Sequence, residues 1–112
     1  MSNTSDFIKV DNSPLVKQEL ERRIPIILEA LGIQAEGNAV KEITDMKAVD
    51  TGRLRGSISH AHDDDSVYIG TNVEYAPYVE LGTYRMEPRP FLRRAIDSYR
   101  DEYKGIIEQG LK

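Results

Sequence analysis

His60 and His62, followed directly by Asp63, Asp64 and Asp65, form the one cluster in the chain whose residue types suit metal ligation. Residues two apart on a strand share a face, so an ion held between two imidazoles is chemically reasonable. Spacing fixes no third ligand, and the plainer account is a polar strand face running into a solvated acidic turn. We therefore expect no metal, with His60 and His62 as the residues on which that expectation turns. Glu74 and Glu80, beside Tyr75 and Tyr78, supply carboxylates for acid–base work, but nothing sets the two opposite each other. Ser57 and Ser59 precede the histidines without the strained turn that presents a nucleophilic serine. With no cysteine in the sequence, thiolate zinc sites, disulfides and cysteine catalysis are excluded. The residues thus point to a protein that is not an enzyme and has no cofactor.

The second concentration is basic: Arg53, Arg55, Arg85, Arg89, Arg93 and Arg94 stand in a chain of net charge −4. One reading is contact with nucleic-acid phosphates, which needs several such contacts at once and is opposed by the overall charge. The other is recognition of carboxylates, which the planar guanidinium fits in a bidentate fashion. The second is preferred, and no sequence-specific nucleic acid is expected as a partner. The arginines otherwise have Glu74, Glu80, Glu87 and Asp97 available for pairing.

These residues must be positioned by few elements. At 112 residues the chain reads as one domain, 1–112, with a core of Ile, Leu, Val and Tyr thin enough to be completed by neighbouring subunits. Residues 1–12 read as an N-terminal arm, flexible or partner-binding, with Phe7-Ile8-Lys9-Val10 as its apolar part. The polar start argues against a secretion signal, and no apolar run is long enough for a bilayer. Synthesis in the cytoplasm is expected.

Pro14 behind Asn12 and Ser13 predicts a helix start. Val16, Leu20, Ile24, Ile27 and Leu31 then recur at helical spacing, and Ala39, Val40, Ile43 and Met46 continue the pattern. The expectation is one long helix over 14–47, kinked or divided at Pro25, with Glu36, Lys41, Glu42 and Asp45 on its wet side. Asp50-Thr51-Gly52 reads as a turn and Arg53-Leu54-Arg55 as a single helical turn. Ser57 to Ala61 and Ser66 to Thr71 read as a hairpin whose tip is the three aspartates. Tyr75, Tyr78, Val79 and Leu81 belong to a short helix that Gly82 ends, opened either by a Thr71–Glu74 capping box or at Ala76-Pro77, and Thr83 to Arg89 is extended. From Pro90 a last helix carries Leu92, Ile96, Tyr99, Tyr103, Ile106 and Gly110 along one seam. The fold class is α+β: a long N-terminal helix and a C-terminal helix packed on a small antiparallel β-sheet, with a short helix between.

Three blocks carry a resemblance. Val49-Asp50-Thr51-Gly52-Arg53-Leu54-Arg55 with Ser57-Ile58, then Tyr75-Ala76-Pro77-Tyr78-Val79-Glu80 with Gly82-Thr83, then Arg89-Pro90-Phe91-Leu92 with Ala95, occur in this order. Together they resemble the tail-completion, or head–tail joining, proteins of long-tailed bacteriophages and prophages, over about residues 15–111. The departures are a short acidic hairpin and Pro25 in the first helix.

The resemblance implies a virion structural protein of the neck or tail end, made in the host cytoplasm. It implies a homo-oligomer, a sixfold ring in the assembled particle, whose partners are other phage neck and tail proteins, with no membrane involved. Since a closed ring needs two different complementary patches on each subunit, Arg85, Arg89 and Arg94 against Glu80, Asp63, Asp64 and Asp65 are the candidate assembly contacts. The alternative function is a small nucleic-acid-binding protein using the six arginines.

Overall fold

The computed structural model describes residues 14–46 and 51–112. The expected N-terminal arm and its Asn12/Ser13 cap, and Asp50 of the expected turn, lie outside the described residues. Helix α1 spans Pro14–Asp45 and runs without a break through Pro25. Proline here removes one backbone bond, on a stretch where Ile24, Pro25 and Ile26 are all exposed and little packing depends on local geometry. Of the expected seam, Ile27 is buried, Leu20 and Leu31 are half-buried, Ile24 is exposed, and the side chain of Val16 is outside the description. Burial continues through Leu28, Ala35, Asn38, Ala39 and Ile43. The predicted face is buried or half-buried from Ile27 onward, whereas Ile24, placed on the same seam, stays exposed.

Helix α2, Thr51–Ser57, replaces the expected turn and single helical turn: Thr51 and Gly52 are already helical. The hairpin follows as β1, Ser59–His62, and β2, Val67–Gly70, antiparallel, with His60 opposite Ile69 and His62 opposite Val67. Asp63 organises its tip: Oδ1 accepts the backbone N–H groups of Asp65 and Ser66 at 3.0 and 2.8 Å, and Oδ2 accepts the Tyr68 hydroxyl at 2.9 Å.

Helix α3, Ala76–Leu81, has Pro77 in its first turn and ends at Gly82. Gly82 has φ 76°, and a Cβ there would lie 2.7 Å from the Pro88 nitrogen, so only glycine fits. The chain then doubles back instead of extending. Thr83 and Met86 exchange backbone bonds of 2.8 and 3.1 Å, and the Arg89 N–H returns to the Val79 carbonyl at 2.8 Å.

The last helix is two: α4, Phe91–Asp97, and α5, Arg100–Leu111. The break at Tyr99, φ −123°, ψ 26°, has a tertiary cause. Its hydroxyl donates to Glu42 on α1 at 2.7 Å, and the Tyr103 hydroxyl turns back to the Ala95 carbonyl. The core joins Ala39 and Ile43 of α1 to Leu54, Ile58, Val73, Ala76, Val79, Phe91 and Ala95. Leu54, Phe91 and Ile43 are its largest fully buried side chains. The class is α+β, as expected. Among the described residues no helix is long and apolar enough to cross a membrane.

Candidate assembly surface

The fold brings the three sequence blocks together. Leu54 enters the core while its neighbours Arg53 and Arg55 face out, as adjacent helical positions must. The Arg53 guanidinium gives Glu74 two bonds of 3.1 and 2.9 Å and lies 5.5 Å from the Tyr75 ring, tying α2 to the entry of α3. The Glu74 N–H and then Arg53 hold the Glu74 carboxyl below its ordinary value. Glu80 reaches the start of α4, accepting the N–H groups of Leu92 at 2.9 Å and Arg93 at 3.2 Å. A carboxylate suits a helix N-terminus because the first N–H groups have no partner within the helix. With Arg89 bonded to Val79, the second and third blocks are locked to each other.

Large apolar groups are among what this unit leaves outside. Tyr78 is 60% exposed, Leu81 74% and Tyr84 91%, the last with the Arg85 guanidinium 5.2 Å above its ring. Their neighbours Ala76 and Val79 are buried. The same short helix therefore anchors inward with one face and presents large apolar groups with the other.

The structure divides the arginines among different partners. Arg53 is on Glu74, Arg55 is 3.5 Å from the Thr44 hydroxyl, and Arg93 is 3.5 Å from Asp97. Arg94 is exposed, with no ion pair or hydrogen bond from its side chain among the described residues. The candidate acidic contacts are also unequal. Glu80 caps α4 and Asp63 shapes the hairpin tip, where the Asp65 N–H foremost holds its carboxyl below the ordinary range. Asp64 and Asp65 are exposed beside it, and Asp65 accepts the Ser66 hydroxyl at 3.0 Å.

His60 and His62 share a face, as the strand period requires, and that face meets α1. His60 Nδ1 is 2.8 Å from Glu36 and Nε2 2.9 Å from Glu29, so both ring nitrogens are engaged by carboxylates. Glu36 first, then Glu29, raises the His60 pKa above its ordinary value. His62 Nδ1 is 3.0 Å from the Asp63 carbonyl. Among the described residues no group of three or more His, Cys, Asp or Glu is arranged to hold a metal ion. Ser57 Oγ donates to the Leu54 carbonyl at 2.7 Å and meets the Thr71 hydroxyl, while Glu74 and Glu80 serve Arg53 and α4.

Sequence reasoning placed Glu36 and Glu42 on a wet face, yet they bind His60 and the Tyr99 hydroxyl, whose pKa Glu42 pushes up to about 12. It passed over Glu29, and over Asn38, which is fully buried and donates to Glu102 and the Tyr103 hydroxyl at 3.1 and 3.0 Å. Gly32, where a Cβ would meet the His60 ring, is the one mark on α1 of the side chain that packs there.

A family model described as "Bacteriophage HK97-gp10, putative tail-component" matches residues 12–82. The match takes in the first block, the second as far as Gly82 and the elements between them, and ends before the Arg89-Pro90-Phe91-Leu92 block. No curated protein and no solved structure matches the chain. The family match covers more than half of the chain, including helices α2 and α3 with the exposed Tyr78 and Leu81, and so this protein belongs to the HK97-gp10-like family of bacteriophage tail components.

Proposed function

We propose that this tail component works at the neck, completing the tail or joining it to the head, as one subunit of a closed homo-oligomeric ring that is sixfold in the particle. The observation that carries the proposal is the exposed set Tyr78, Leu81 and Tyr84 on a segment braced from behind. Large apolar groups exposed close together along one segment support an interaction surface there. Bracing through Gly82, Glu80 and the Arg89–Val79 bond reduces the entropy lost when they bind.

Arg85 and Arg94 supply a basic rim, and Asp64 and Asp65 are the carboxylates best placed to answer it from the hairpin tip of a neighbouring copy. Glu80 and Asp63, already holding backbone N–H groups, act in this reading by shaping the surface. The whole chain, 1–112, acts as one domain, with residues 1–12 as an arm that binds a partner. The role is binding, with no substrate turned over, and the partners are other neck and tail proteins.

The test is the solution mass of the full chain with negative-stain images, together with complementation of a phage lacking the gene. Wild type is expected to give annular particles and to restore infectivity. Leu81→Asp with Tyr84→Asp, a pair of exposed positions, is expected to leave the fold intact and yield separate heads and tails. Infectious particles at the usual yield without the gene would overturn the proposal.

A further inference from the structure

The hairpin is held to α1 by an arrangement that works fully in only one protonation state. A neutral imidazole has one N–H and one lone pair, whereas His60 has a carboxylate within hydrogen-bond distance of each nitrogen, Glu36 at 2.8 Å and Glu29 at 2.9 Å. Both contacts are attractive together only when both nitrogens carry protons. The seat for the ring is built into α1. A Cβ on Gly32 would lie 2.4 Å from His60 Cδ2, so the imidazole rests against bare helix backbone. Glu29 and Glu36, three residues before and four after Gly32, are one turn away on either side, on the same helical face.

We propose that His60 is a proton-operated latch that fastens the β1–β2 hairpin, with its acidic tip, onto α1 when charged and releases one of its two carboxylates when neutral. The inference is independent of the ring. The charged groups facing the ring are Glu29 and Glu36 from α1 and, on its own strand, His62, whose Nε2 is 3.7 Å from Glu29. Across the hairpin, β2 contributes only the uncharged Val67 and Ile69 to this side. Those two border a cleft of about 180 Å³ shared with Leu31, Ile96, Ile107 and the titratable Tyr103 of the neighbouring helices. Apolar packing beneath the hairpin is therefore incomplete, which leaves a larger part of the attachment to the histidine. At its base the hairpin is tied by Ser57 and Thr71, so loss of one His60 contact loosens the tip end.

The sign follows from the raised pKa of His60. The stabilisation is complete below the ordinary histidine value of about 6.5 and is lost as pH rises through the higher folded value. The experiment is NMR of the full chain across that range, following the His60 ring and amide exchange of β1 and β2 corrected for intrinsic rate. We expect His60 to titrate above the ordinary midpoint. Hairpin protection should fall by about an order of magnitude through the same pH, while α4 is unchanged. In the Glu29→Gln, Glu36→Gln double variant the midpoint should return to the ordinary value and the step in protection should vanish. Titration of His60 at or below the ordinary midpoint would overturn the latch, as would an unchanged step in the double variant. Zinc alone restoring protection at high pH would overturn it too, by showing a metal in place of the proton.

Discussion

The two halves of α1 are held by different physics. Around Ala39 and Ile43, helices α2, α3 and α4 close on Leu54, Val79 and Phe91, and the interior is apolar. Around Ile27, α5 packs on one side of the helix, and it is fastened by a buried Asn38 network, a Gly110 contact and the Arg23 bond to the Lys112 carbonyl at 2.9 Å. Between α1 and α5 an apolar groove of about 510 Å³ stays open, bordered by Ile26, Ile27, Ala30 and Ile106. One half gains its stability from removing side chains from water. The other depends on satisfying groups that are costly to leave unpaired.

That contrast can be broken most directly at Phe91. Phe91→Ala should cost about 3–5 kcal/mol in urea unfolding, because a fully buried ring leaves a cavity its neighbours cannot refill. A loss under about 1 kcal/mol would mean the closed half is not the principal core. Next in size is Asn38→Ala, expected to cost about 1–3 kcal/mol: it empties a fully buried site and takes away the donor that serves Glu102 and the Tyr103 hydroxyl. Hydrogen exchange should show that loss in α5 more than in α3; an equal loss in both would erase the distinction between the halves.

The smallest effects sharpen the boundary between packed and open helix surface. At Gly105 an added Cβ meets nothing within 4 Å, so Gly105→Ala should stabilise α5 by about 0.5–1 kcal/mol. At Gly110 the same carbon would lie 2.4 Å from Ile27 Cγ1, so Gly110→Ala should lower the melting temperature. Equal behaviour at the two glycines would mean that α5 does not pack on Ile27.

The closed half was legible because its signals are local. Pro77 in the first turn and Gly82 after the last bound α3, the apolar spacing of α1 gives its face, and alternation gives the hairpin. The error over Thr83 to Arg89 came from Gly82. It was read as an ordinary helix stop, whereas its positive φ also sets the chain back toward Val79. The break at Tyr99 was invisible for the same kind of reason: the local pattern favours one continuous helix, and the hydrogen bond that opposes it runs from the Tyr99 hydroxyl to Glu42.

The candidate surface divides likewise. Helical period separates Ala76 and Val79 from Tyr78 and Leu81 in principle, but which side faces solvent depends on where α1 and α4 lie. The histidines were placed on one face correctly, yet their partners were not to be found nearby. Glu29 and Glu36 precede His60 by 31 and 24 residues. Sequence by itself determined the long first helix, the hairpin, the short helix before Gly82, the family blocks and the absence of thiol chemistry, since each follows from residue type and short-range geometry. Tertiary structure alone decided which carboxylates cap, pair or stay free. Coulombic and hydrogen-bonding partners are chosen by distance in space, and that distance is set only when the helices pack.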